Sequence, residues 1–193
     1  MRYAEQETFW DRSSTAIWRR YDLYCKIVDS AVREAKGEEL PKDIDTVVDI
    51  PISANIPKRY IPREAERLSM YKRIAFIAAQ ADVYDVQDEL IDRYGDIPEE
   101  VQNLIFIALI KAEAQRAYIQ RLMVRDGEVR IVFDPEAPMD GAKLFAAANN
   151  IAGAAMLPEE VPTIVIRRPK SDVKKLCSEL TQIVYMMSDC IVK

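Results

Sequence analysis

Seven consecutive apolar residues, Leu104-Ile105-Phe106-Ile107-Ala108-Leu109-Ile110, limit more than any other feature how this chain can fold. The run is far too short to span a membrane. It lies within a helical stripe of Val101, Leu104, Ile105, Ala108 and Ala112, while Phe106, Ile107, Leu109 and Ile110 make most of the remaining surface apolar. A helix that is apolar all round is stable only when other elements cover it. The spacing therefore predicts a central, buried helix. Asp96 is its expected N-cap, with Pro98 in the first turn and Glu99 at the third position in a capping-box arrangement.

On the N-terminal side the periodicity is helical. Ile17, Tyr21, Tyr24, Val28, Ala31, Val32 and Ala35 predict a long leading helix from Ser13 to Lys36, ended by Gly37. The polar run Gly37 to Lys42 reads as a linker, which divides the chain into residues 1–42 and a compact domain over 43–193. Thr46 to Ile52 is enriched in β-branched residues and predicts a strand, with Pro51 at its end or on an edge. A helix is expected from Arg63 to Ala79 with Leu68, Tyr71, Ala75 and Ala78 inward. Asp82 is expected to cap the next one, with Val83, Val86, Leu90 and Tyr94 inward and Gly95 as its stop.

Beyond the apolar helix the period changes. Leu122-Met123-Val124 and Val129 to Phe133 flank Arg125-Asp126-Gly127-Glu128, whose Asp-Gly pair predicts a hairpin. A short helix is expected at Gly141 to Asn149 and a strand at Thr163 to Arg167. A last helix, capped by Ser171, carries Val173, Leu176, Leu180, Ile183 and Met187 inward. Helices followed by a small strand cluster predict an α+β fold: a helix-rich domain on a small, mainly antiparallel sheet, preceded by the long N-terminal helix.

Composition narrows the chemistry. Histidine is absent, which removes the commonest general base, the commonest metal ligand and every Ser-His or Cys-His pair. The three cysteines, Cys25, Cys177 and Cys190, show no CxxC spacing and fit a reduced, cytoplasmic protein. The five glycines are scattered singly, so no phosphate-cradling loop is present, and no nucleotide or other cofactor is expected. Asp134-Pro135-Glu136-Ala137-Pro138-Met139-Asp140 lacks the ligand order of a calcium loop and reads as a connection between elements, so no metal site is expected. The tyrosines mostly fall at inward helical positions and are explained by packing.

One constellation stands out. Asp85, Asp88, Glu89 and Asp92 follow i, i+3, i+4, i+7 spacing, which gathers four carboxylates on one helix face. Like charges at i, i+4 each cost roughly 0.2–0.5 kcal/mol, and only Glu89 with Arg93 forms a favourable pair at that spacing. Such a stripe is ordinarily a solvated face, helped near its start by the helix dipole. The sharper reading is a docking surface for a basic partner. A hydrolase built on two of these carboxylates would need them to converge in a cleft. The net charge of −5 argues against a broad nucleic-acid surface. Lys58, Arg59, Arg167 and Arg168 nonetheless offer a second reading, a DNA- or RNA-polymerase-contacting module.

Two runs carry a family resemblance. Arg67-Leu68-Ser69-Met70-Tyr71-Lys72-Arg73-Ile74-Ala75 and Glu89-Leu90-Ile91-Asp92-Arg93-Tyr94-Gly95-Asp96-Ile97-Pro98 resemble, in order and spacing, segments of the C-terminal domain of bacterial transcription-repair coupling factors. Ile56-Pro57 through Tyr60-Ile61-Pro62 resembles the extended entry to that domain. Tyr21-Asp22-Leu23-Tyr24 and Glu34-Ala35 resemble the helix leading out of the family's motor module. The resemblance implies a piece of a longer ATP-driven DNA translocase that displaces stalled RNA polymerase and recruits the excision-repair protein UvrA. It implies that this piece is a regulatory domain with no enzymatic activity of its own. Its partner would be the N-terminal UvrA-like module of the same protein, so that docking masks UvrA binding and restrains the motor. UvrA and RNA polymerase would be indirect partners, DNA would be held by the parent motor, and no membrane would be involved. The positions matching the family's docking acids are Glu89 and Asp92, with Asp85 and Asp88 as supporting charge.

Overall fold

The computed structural model describes residues 44–167 and 173–192. The expected helix Ser13–Lys36, the linker before residue 43, Arg168 and the expected cap Ser171 lie outside them. In chain order the elements are β1 (Val47–Asp49), α1 (Glu64–Ala75), α2 (Gln80–Tyr94), α3 (Glu99–Arg116), β2 (Ile119–Arg125), β3 (Glu128–Phe133), α4 (Gly141–Asn149), β4 (Ala154–Leu157), β5 (Thr163–Arg167) and α5 (Val173–Ser188). The fold is α+β, as the change of period predicts.

α3 is the axis of the domain. Its Val101, Leu104, Ile105, Ala108 and Leu109 join α1, α2 and the entry residues Ile56 and Ile61 in one apolar cluster. Its last turns contribute Ile110 and Ala114 to a second cluster with the sheet, α4 and α5. That division explains a helix apolar on almost every side: each face meets a different partner. α3 begins three residues later than its expected cap. Pro98 is the N-cap residue and Asp96 makes no capping bond, because the fixed φ of proline, −61° here, already sets the entry geometry.

The sheet runs β1-β2-β3-β5-β4. Its β2–β3, β3–β5 and β4–β5 pairings are antiparallel, and β1 lies parallel to β2 on the edge. Parallel neighbours need a crossover, and α1, α2 and α3 supply it between β1 and β2. Asp126 (φ 50°) and Gly127 (φ 79°) close the β2–β3 hairpin with two left-handed residues, the turn whose twist matches the flanking strands. The expected strand at Thr46 to Ile52 is shorter, and Thr46 is buried with its hydroxyl donating to the Ile119 carbonyl at 2.7 Å. β4 has no counterpart in the expectations. α1 is also shorter than expected: it ends at Ala75, and its buried residues are Met70 and Ile74 rather than the expected face of Leu68, Tyr71, Ala75 and Ala78. In α5, Leu180, Ile183 and Met187 face inward as the spacing predicts, with Val184 beside them.

Candidate functional site

α2 owes its place to Val83, Val86 and Leu90, which are buried against α1 and α3. Asp82 is not the N-cap. It sits at the third helical position, and its Oδ2 accepts hydrogen bonds from the backbone N–H groups of Ala78 (2.8 Å) and Ala79 (2.9 Å). Those two bonds, reinforced by Arg73 and Arg116, hold the Asp82 carboxyl below its usual range. A carboxylate depressed in this way stabilises the fold above its unfolded pKa and ceases to do so as pH falls through the folded value. Asp82→Ala should therefore cost about 1 kcal/mol at neutral pH. The gap to wild type should close as the solution is acidified below about pH 4. Urea midpoints measured from neutral to acid pH check this, and a gap independent of pH would contradict it.

The other end of α2 is fixed by Gly95, whose φ of 79° lets the chain turn where a side chain would be strained. The Tyr60 hydroxyl lies between the carbonyl oxygens of Leu90 (3.3 Å) and Gly95 (3.1 Å), stitching the entry segment to this terminus. Burial, then the neighbouring Tyr94 and Asp96, push the Tyr60 phenol up. Tyr60 and Tyr94 pack with ring centroids 5.8 Å apart, and the Arg93 guanidinium lies 5.0 Å from the Tyr94 centroid.

The four carboxylates of the acidic stripe divide into two kinds. Glu89 is half-buried on the side nearest α1. Its Oε1 accepts from Arg93 Nη1 at 2.8 Å, and its Oε2 lies 3.8 Å from Arg73 Nε, an ion pair too long for a hydrogen bond. Asp85, Asp88 and Asp92 are exposed on the outer face and make no ion pair among the described residues. They follow the surface of one helix over two turns and do not converge on a point, which removes the carboxylate-hydrolase reading.

Not every tyrosine packs inward as its helical position predicts. Tyr84 is 59% exposed and Ile91 is 53% exposed, both on this same outer face. They stand seven residues apart, one lane over from Asp85 and Asp92, with Asp88 between the lanes. The signal was present in the spacing: Tyr84 and Ile91 fall off the Val83-Val86-Leu90 stripe, so they cannot share its core.

A second polar node lies where the two apolar clusters meet. Glu113 of α3 is buried and pairs with Arg116 Nη1 at 2.9 Å, while Arg116 Nη2 donates to the Ala78 carbonyl at 2.6 Å. Tyr185 of α5 approaches the same Glu113 oxygen at 3.4 Å, and burial and then that charge raise its phenol pKa. Its residues join α3 to the α1–α2 turn on one side and to α5 on the other, a structural role. The loop acids are likewise engaged locally. Asp134 accepts from the Glu136 N–H and from Gln120, and Asp140 is the N-cap of α4, accepting from Ala142 and Lys143.

Of the described basic residues of the second reading, Arg59 is held by Glu100 at 2.7 Å beside the start of α3, and Arg167 is the last residue of β5. No helix among the described residues is long and apolar enough to cross a membrane.

Residues 50–144 match the TRCF domain family. The chain is 34% identical over 138 residues to the transcription-repair-coupling factor of Staphylococcus epidermidis, covering 69% of this chain and 12% of that protein. It is 33% identical over 132 residues to the factor of Bacillus subtilis, covering 67% and 11%. The chain thus spans about an eighth of the length of these relatives. Its fold matches a crystal structure of the C-terminal domain of transcription-repair coupling factor with a TM-score of 0.70 at 21% identity, covering 76% of this chain and 94% of that one.

Proposed function

This chain belongs to the TRCF domain family over residues 50–144, and from that membership we propose that it is the regulatory C-terminal piece of a transcription-repair coupling factor, without catalysis of its own. In this reading it docks on the N-terminal UvrA-like module of the same protein. Docking masks the surface that UvrA would bind and restrains the DNA translocase until RNA polymerase is engaged. Contact with DNA belongs to the parent motor.

The observation that carries the reading is the outer face of α2, where Asp85, Asp88 and Asp92 stand exposed without an ion-pair partner among the described residues. Isolated like charges on a helix are mildly destabilising, so an arginine surface that neutralises them stabilises the docked state. Asp92, exposed on this face, can accept a charge-assisted hydrogen bond. Glu89 offers Oε2, which Arg73 approaches no closer than 3.8 Å. Both partners of such a clasp are solvated before they meet, so it is modest in strength, weakened by salt and reversible. Reversibility is what a restraint needs, because release requires only that another contact favour the undocked state.

The test is calorimetric titration of the chain with the N-terminal UvrA-like module of its parent protein at low and at physiological salt. Binding should weaken as salt rises and fall by at least roughly tenfold in the Glu89→Lys, Asp92→Lys double variant. Binding indifferent to both would remove these carboxylates from the interface.

A further inference from the structure

The outer face of α2 is more than a row of acids. Tyr84 and Ile91 form an apolar lane, Asp85 and Asp92 form an acidic lane beside it, and Asp88 stands between the two. Each lane repeats at seven residues, about 10.5 Å along the helix axis. Single exposed apolar side chains are ordinary on a protein surface. Two large ones at the same angular position, each more than half exposed and bordered on one side by carboxylates, form the pattern of an apolar centre with a charged rim.

Resting on the docking reading above, we infer that Tyr84 and Ile91 are the anchors of that contact. Their partner is an arginine-bearing surface with an apolar recess between its cations. The charge pattern selects arginine: a guanidinium can lie flat on the Tyr84 ring while its N–H groups reach Asp88 or Asp85, a combination a lysine ammonium lacks. Ile91 fills the recess one helical repeat away. The labour divides accordingly. Carboxylates steer the encounter and set its salt dependence, whereas the desolvated anchors govern how long the complex lasts. Glu89, already shared between Arg73 and Arg93, contributes less than its neighbours on the open face.

Association and dissociation of the full chain with the immobilised UvrA-like module separate the two roles. Tyr84→Ala combined with Ile91→Ala should speed dissociation roughly tenfold or more and leave association within about threefold. Asp85→Asn with Asp88→Asn should mainly slow association and flatten its salt dependence. Both side chains are solvent-exposed, so the melting temperature of the double-alanine variant should match wild type, and Tyr84→Phe should retain the ring and the slow dissociation. If the double-alanine variant dissociates like wild type while Glu89→Lys with Asp92→Lys abolishes binding, the anchor inference is overturned and the docking reading stands. If wild type does not bind the module, both are overturned.

Discussion

Replacing Phe133 by alanine is expected to lower the unfolding free energy by about 3–5 kcal/mol, a large part of what a domain of this size has. Phe133 is the last residue of β3 and is fully buried, with Ile119 opposite it across the hairpin ladder. Its own N–H donates to the Pro162 carbonyl at 3.0 Å, which pins the strand end in place. The ring sits in the cluster that gathers the sheet, α4, α5 and the end of α3. Those surroundings are tied to a five-stranded ladder and cannot collapse into the space the ring vacates, so the cost falls at the upper end of the range. Guanidinium unfolding followed by circular dichroism measures it. A loss below about 1.5 kcal/mol would mean that this cluster is looser than its burial implies.

Leu90→Ala should cost about 2–5 kcal/mol, and here the form of the transition matters as much as its midpoint. Leu90 is fully buried in the other cluster, between α1, α2 and the first turns of α3. Because α3 contributes Leu104 and Ile105 to that cluster and Ile110 and Ala114 to the other, neither can come apart without exposing apolar surface of the same helix. The Arg116 bond to the Ala78 carbonyl and the Glu113 contact with Tyr185 tie the two halves at the same seam. Both substitutions should therefore shift one cooperative transition. Their effects should add in the double variant, since the residues sit in separate clusters. Hydrogen exchange distinguishes the alternatives: amides of the β2–β3 hairpin should lose protection in Leu90→Ala along with those of α2. Hairpin amides that keep wild-type protection would show that the sheet half folds alone.

The proposals for α2 depend on its being presented rigidly. Tyr60 holds the carbonyls at its C-terminal end, and Asp82 gathers the N–H groups at its start. A docking face on a helix fixed at both ends loses little freedom on binding, which lowers the entropic cost of the contact.

Features that rest on local geometry follow directly from the order of residues. Asp126-Gly127 specified the hairpin because two adjacent left-handed residues suit that turn and little else. The seven-residue apolar run specified a buried helix, and Val83, Val86 and Leu90 specified which side of α2 turns inward. The acid spacing was legible for the same reason, since residues three and four apart on a helix are neighbours whatever surrounds them.

Features that depend on distant partners emerge only once the elements pack. β4, with the sequence Ala-Ala-Met-Leu, has little strand character and exists because β5 offers it a ladder edge. β1 runs parallel to β2, a pairing that the three intervening helices permit but do not dictate. Glu89 is partly neutralised because α1 brings Arg73 beside it, and Tyr84 and Ile91 stay exposed because α1 and α3 cover only the opposite side of α2. Spacing along one helix fixes which residues share a face, but the covering of that face depends on contacts far apart in the chain.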